Sequence, residues 1–377
     1  MKNSKNEFLY QTINSNLKEA IIKGDYKVGS LLPTEREICE QYDVDRSTVR
    51  KALKLLSDLG YIKKIPGKGS VVLAKEDNIK TKEDIQISLN TVKTNNIGFF
   101  LPESKNKKDR ITEPFNAKLF YSVQKFCQKH GFSVVYRMLG EKDSLEQIVK
   151  QCALDAAVFV SNIDEKHLEY AFNTKLPAVV VNSVDSRFPC ITPNNTEGMY
   201  LATKYLLDLG HRDIAVVHAS YSFINAKERL DGIFKAMSEY NISVNSNFLI
   251  ESKDWNYEAG FESVKAWVEN RKGKMPTAII GLNDRLALSA MHVMQQFGYA
   301  VPKDISIMGF DNSEDAIFAN PKISSIEMHI DWIADIACTF LTEQLFSYKL
   351  IPVRSYVPVS LDVRDSVLDL RNKNKAI

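Results

Sequence analysis

The stretch Asp45-Arg-Ser-Thr-Val-Arg-Lys-Ala-Leu-Lys-Leu-Leu56 sets two kinds of residue on one helix. Val49, Ala52, Leu53 and Leu56 recur at helical spacing and predict an inner stripe, with Asp45 placed to cap the start and Gly60 near the end. On the other face Arg46, Arg50 and Lys54 recur at i, i+4 and i+8, with Ser47, Thr48 and Lys51 clustered near the helix start. Cations at a helix N-terminus oppose the macrodipole, so an external anion is the better explanation for them.

Upstream, Tyr10, Ile13, Leu17, Ala20 and Ile21 predict a first helix, closed by Gly24 in a left-handed cap. Thr34 precedes Glu37 by three residues, the capping-box spacing, and opens a second helix with Ile38 and Tyr42 inside. Downstream, Tyr61–Ile65 and Ser70–Leu73 read as two short strands around a Pro66-Gly-Lys-Gly69 tip. Three helices and a wing, the third helix basic at its entry, predict a winged helix-turn-helix whose third helix enters the DNA major groove. Residues 1–75 hold 14 Lys or Arg against 9 Asp or Glu, while the rest of the chain is slightly acidic. That layout suits a nucleic-acid-binding module joined to another body. Gly67-Lys-Gly-Ser70 is not a phosphate loop, because the first glycine of that motif is missing.

At 377 residues the chain has room for two or three domains. Its 44% hydrophobic and 25% charged residues exclude disordered and fibrous classes. No apolar run reaches signal-peptide or membrane-spanning length, so the cytoplasm is the expected location and no membrane partner is expected. Five cysteines without a C-x-x-C pair argue against a disulfide framework or a zinc site. No metal, cofactor or catalytic residue is assigned.

From residue 74 to 95 the sequence is polar and mixed in charge, as an exposed linker would be. Beyond it, Ile97–Leu101, Ser133–Tyr136, Ala156–Val160, Ala178–Val181, Ile214–Val217, Thr277–Ile280 and Ile305–Met308 are short, β-rich and separated by helical lengths. Repeated β-α-β units predict an α/β body of parallel sheets, large enough for two lobes with a ligand cleft at the strand ends. The expected domains are 1–75, a 76–95 linker and 96–377. Motifs of dinucleotide, serine-hydrolase and zinc-protease chemistry are missing, and the six histidines are dispersed, so an enzyme is not expected. His211, after Gly210, reads as part of a helix end.

Leu32-Pro-Thr-Glu-Arg-Glu-Ile38, Val44–Leu53 and Gly60–Val72 together resemble the GntR family of winged helix-turn-helix regulators. The resemblance implies DNA contacts at Arg36, Arg46, Ser47, Thr48, Arg50 and Lys51, and at the wing residues Gly67, Lys68 and Gly69. Asn194-Asn-Thr-Glu-Gly198, Tyr205–Arg212, Pro276–Asp284 and Val301–Asp311 resemble, in order, the LacI/GalR effector domain. That family shares the two-lobed fold of type I periplasmic sugar-binding proteins. A GntR-type head on such a body is the architecture of arabinose-repressor-type regulators.

The second resemblance implies polar effector contacts at Arg229, Asn283 and Asp311, a stacking aromatic at Trp255, and weaker matches at Phe115, Asn116, Asp185 and Asn225. A flat aromatic suits the C–H face of a sugar, and Asp, Asn and Arg suit its hydroxyls. The structural alternatives are Trp255 as core packing, Arg229 as an ion pair and Asp311 as a strand-end turn cap. The expectation is a homodimeric repressor of sugar-utilisation genes on palindromic double-stranded operator DNA, released by a pentose, hexose or deoxy-sugar. The rivals are an activator, a regulator that needs its ligand to bind DNA, or a sugar-binding protein whose head pairs with a protein.

Overall fold

Gly24, at φ +87°, ends the first helix, α1 (Asn3–Lys23), in the left-handed region that glycine enters without a Cβ penalty. The computed structural model describes residues 3–27, 29–58, 61–65, 69–72, 94–103, 109–347 and 352–371. The chain divides into two compact units, Met1–Leu89 and Asn90–Ile377.

In the first unit, α2 (Glu35–Tyr42) begins at the expected capping box, Glu37 N–H donating to Thr34 Oγ1 and Thr34 N–H to the Glu37 carboxylate. The third helix, α3 (Arg46–Asp58), is capped by Asp45, whose Oδ1 accepts from Thr48 N–H at 2.8 Å. The wing is an antiparallel pair, β1 (Ile62–Ile65) and β2 (Gly69–Val72), with Ile62 opposite Val72 and Ile65 opposite Gly69. Ile13, Leu17, Ile38, Val49, Ala52, Leu53 and Leu56 pack with Ile62 and Val72 into one core. Gly67, Lys68 and linker residues 76–93 lie outside the described residues. The last two linker positions belong to the second unit, where Thr94 N–H donates to Asp155 and the Asn95 carbonyl accepts from Ser133 N–H.

The second unit holds two six-stranded sheets. The first lobe contains β3 (Asn96–Pro102), α4 (Pro114–Lys129), β4 (Ser133–Leu139), α5 (Leu145–Gln151), β5 (Leu154–Val160), α6 (Glu165–Asn173), β6 (Ala178–Val181) and β7 (Cys190–Pro193). The chain crosses into the second lobe with α7 (Asn195–Asp208), β8 (Ile214–His218), α8 (Ile224–Glu239), β9 (Leu249–Glu251), α9 (Tyr257–Asn270), β10 (Ala278–Gly281), α10 (Asp284–Gln296), β11 (Ser306–Asp311), α11 (Glu314–Phe318) and β12 (Ser324–Glu327). It returns with α12 (Ile330–Ser347) and β13 (Arg354–Val357), then crosses a third time into β14 (Ser360–Asp362).

The strand orders are β4-β3-β5-β6-β7-β13 and β9-β8-β10-β11-β12-β14, parallel throughout except for β12 with β14. Every strand anticipated from the sequence is present; β7, β9, β12, β13 and β14 were not anticipated. The crossovers touch, since Asn194 N–H donates to Val357 O at 2.9 Å and Ser360 Oγ lies 3.2 Å from His329 Nε2. His211 is fully buried, its ring nitrogens bound to Thr277 Oγ1 and Leu368 O, so it ties the end of α7 to the C-terminal segment. All five cysteines are free thiols. Among the described residues no helix is long and apolar enough to cross a membrane.

Candidate functional site

On α3 the residues Arg46, Ser47, Arg50, Lys51 and Lys54 are exposed on one side, and Arg36 is exposed on α2. Thr48 is not on that face. It is 2% exposed, because it shares its helical stripe with Ala52 and Leu56 in the core. Glu35, which carried no expectation beyond the capping segment, organises this surface. Its carboxylate accepts from Arg50 Nε at 2.9 Å and from Lys64 Nζ at 2.7 Å, joining the third helix to the wing. The two cations, Lys64 before Arg50, hold its carboxyl below the usual range. Arg36 pairs along its own helix with Glu40 at 2.9 Å.

In the second unit, residues of both lobes line one cleft. The first lobe supplies Arg110, Glu113, Pro114 and Phe115; the second supplies Asp254, Trp255, Asn256, Asn283, Asp284, Arg285, Asp311 and Ser313. These come from helix starts and from the carboxyl ends of strands, the positions where open α/β sheets present groups to a ligand. Glu113 precedes Pro114 at the start of α4, and its carboxylate accepts from Arg110 Nε (3.2 Å) and Asn116 Nδ2 (3.0 Å). Asn116 is 1% exposed, and its Oδ1 has no hydrogen-bond partner among the described residues.

Asn283 caps α10 by accepting from Leu286 N–H at 2.8 Å and donates to Trp255 O at 3.0 Å, fixing the aromatic wall to the helix start. Asp284 is buried, accepting from Ser313 N–H (2.7 Å), Ser313 Oγ (2.9 Å) and Ser325 Oγ (2.5 Å). A Cβ at Gly309 would stand 2.1 Å from Asp284 Oδ1, so the neighbouring strand must carry glycine there. Asp311 ends β11 at φ +113°, a backbone region that L-residues rarely enter.

Arg229, 3% exposed, lies beneath these groups. It donates through Nε to Asn195 Oδ1 at 2.8 Å and through Nη1 to Leu282 O at 2.5 Å, and pairs with Asp311 at 3.5 Å. Its guanidinium stands 3.7 Å from the Phe310 ring centroid and 5.6 Å from that of Trp255. Burial draws the guanidinium below its ordinary range and pushes the Asp284 and Asp311 carboxyls above theirs; Arg229 opposes the shift at Asp311.

Of the residues anticipated for an effector, Phe115, Trp255, Asn283 and Asp311 line the cleft, and Arg229 and Asn116 adjoin lining residues. Asp185 and Asn225 are not among the lining residues. Asp185 is held by Arg187 through both its oxygens, and Asn225 Oδ1 accepts from Ala226 N–H in its own helix. Arg110, Glu113, Asp254, Asn256, Asp284, Arg285 and Ser313 line the cleft without having been proposed for it. Among the described residues no group of three His, Cys, Asp or Glu side chains is placed to hold a metal ion.

Comparison with known proteins covers both units. Residues 9–72 match the bacterial regulatory proteins of the gntR family, and residues 203–367 match the periplasmic binding protein-like domain. The chain is 31% identical over 267 residues to the HTH-type transcriptional repressor PurR of Aliivibrio salmonicida, covering 69% of this chain and 77% of that protein. Its fold is similar to that of a transcriptional regulator CelR–cellobiose complex, at TM-score 0.65 and 20% identity over 86% of this chain and 91% of that one. It is also similar to a LacI family regulator from Enterococcus faecium with bound ribose, at TM-score 0.65 and 21% identity over 73% and 100%. A GntR-type winged helix-turn-helix thus precedes a periplasmic-binding-protein-like body, and the chain belongs to the family of HTH-type transcriptional repressors that includes PurR, which are regulators and not enzymes.

Proposed function

We propose that the protein represses sugar-utilisation genes and leaves its operator when a monosaccharide occupies the interlobe cleft. The observation that carries this reading is the cleft lining: half-buried Trp255 beside the carboxylates of Asp254 and Asp311 and the guanidinium groups of Arg110 and Arg285. An aromatic face takes the C–H side of a sugar ring, and charged hydrogen-bonding groups serve hydroxyls that both donate and accept. Asn116 Oδ1, buried and without a hydrogen-bond partner among the described residues, belongs to a side chain that donates to Glu113 of the lining. The cellobiose and ribose held by the two structural relatives point the same way. A thermal-shift panel of pentoses, hexoses, deoxy-sugars and their phosphates tests it, because a ligand of the native state raises the melting temperature by mass action. At least one neutral sugar is expected to do so, and a panel that leaves the melt unchanged contradicts the reading.

The head, residues 1–75, would bind the operator through the exposed α3 residues Arg46, Ser47, Arg50 and Lys51, with the wing beside them and 76–95 as the linker to 96–377. A homodimer formed by the large unit would present two heads to a palindromic site. Arg46→Ala is expected to weaken binding to a selected operator by about 1 to 3 kcal/mol while leaving random duplex binding in place. Fluorescence anisotropy on both duplexes reads the difference. Equal loss on the two would make Arg46 a phosphate anchor, and no loss would remove α3 from the interface.

A further inference from the structure

Arg354, on edge strand β13 of the first lobe, pairs with the Glu228 carboxylate on α8 of the second. The other Glu228 oxygen accepts from Asn195 Nδ2 at 3.0 Å, and Asn195 Oδ1 accepts from Arg229 Nε at 2.8 Å. Arg229 then reaches Asp311 at the cleft. Side-chain exposure falls along this line from 30% at Arg354 to 13% at Glu228 and 3% at Arg229, and Asn195 is 1% exposed. Water therefore competes little with the inner bonds.

The chemistry of the line gives it a direction. A carboxylate only accepts and a guanidinium only donates, so an amide between them fits in one orientation, its NH2 toward Glu228 and its oxygen toward Arg229. Asn195 also opens α7 at the first crossover between the lobes, and Arg354 lies three residues before Val357, whose carbonyl holds Asn194 N–H at 2.9 Å. A change in the angle between the lobes moves Arg354 relative to Glu228 and leaves the inner bonds to readjust. Conversely, a group that pulls on Arg229 pulls on the same line. Arg354 itself does not line the cleft.

We propose that Arg354, Glu228 and Asn195 form an interlobe relay that positions Arg229, so that Arg354 sets the sugar sensitivity of the regulator without touching the sugar. The relay rests on the cleft being the effector site. In the latched arrangement both lobes face one cleft, so breaking the latch makes a sugar less effective. This coupling has a physical carrier, an ion pair whose two halves sit on separate lobes.

Two measurements on the full chain test it. Without sugar, Arg354→Ala should speed backbone amide exchange at residues 195–198 and 224–230 by about 2- to 30-fold, the span of typical coupling changes, with Arg354→Lys close to wild type. Exchange altered only around residues 352–357 would make the pair a local surface contact and overturn the relay. With L-arabinose, D-ribose, D-xylose and D-glucose as probes, Arg354→Ala and Glu228→Gln should each raise the protecting concentration several-fold, and the double variant should add little to Glu228→Gln. Independent, additive effects would overturn the relay. A wild type that none of the four sugars protects would count against the sugar reading, and the sugar-free exchange still decides the relay.

Discussion

Arg229→Ala is expected to destabilise the second lobe by about 3 to 5 kcal/mol, the usual result of removing one partner from a buried ion pair. The loss has identifiable parts. Asn195 Oδ1 and Leu282 O lose their donor, Asp311 loses its countercharge, and the Phe310 and Trp255 rings lose the cation packed against them. The double variant Arg229→Ala/Asp311→Asn should recover part of the stability, because it removes the partly buried carboxylate charge that the single variant leaves without Arg229. Urea denaturation of the three proteins measures this. A single variant as stable as wild type would mean that solvent in the cleft and Arg285 already screen Asp311. A double variant that recovers nothing would place the whole cost in lost packing and hydrogen bonds.

Gly232→Ala is the second change expected to have a large effect. On α8, a Cβ at position 232 would stand 2.1 Å from Thr196 O and 3.0 Å from Tyr200 N, both backbone atoms of α7. No rotamer change relieves a clash with backbone, so the helices must separate, and the cost should lie at or above the upper end of the usual 1 to 3 kcal/mol for overpacking. Because α7 carries Asn195 and α8 carries Glu228 and Arg229, separation should also loosen the Asn195–Arg229 bond. Melting temperature and sugar response should therefore fall together. Gly131→Ala makes a useful contrast, since that glycine faces open space and its cost arises only from φ +78°. A Gly232→Ala protein that melts with wild type would refute the close helix approach.

The legible parts of the fold were those whose side chains repeat. Ile97–Leu101, Ala156–Val160 and Ala178–Val181 are apolar runs buried on both faces, as parallel strands require. The unrecognised β12 is Ser-Ser-Ile-Glu, and its serines are buried through hydrogen bonds, Ser325 Oγ to Asp284 and Ser324 N–H to Ser366 Oγ, that no hydropathy pattern reveals. β13 begins with Arg354, exposed at a sheet edge. In the head, Thr48 stands in sequence among the exposed Ser47, Arg50 and Lys51, but its spacing to Ala52 and Leu56 places it on the inner stripe.

At the cleft, Trp255, Asn283 and Asp311 could be found because they adjoin strand ends or helix starts in recognisable segments. Arg110 and Glu113 come from a short turn with no period, and only the folded chain brings them opposite Trp255. Asp185 and Asn225 matched by position in a segment, but local hydrogen bonds engage their oxygens. The relay from Arg354 was invisible for a simpler reason: Glu228 and Arg354 are 126 residues apart.

The central claim is that a sugar in this cleft releases the operator, and release by wild type and Asp311→Ala tests it most directly. Each protein is held on a selected operator duplex and titrated with a sugar that raises the wild-type melting temperature. Losing a buried hydrogen-bond partner costs about 1 to 3 kcal/mol, so Asp311→Ala, assayed below its own melting temperature because Arg229 loses its countercharge, should bind the operator as wild type does and need roughly 5- to 150-fold more sugar to leave it. Release of both proteins at the same sugar concentration would contradict the account.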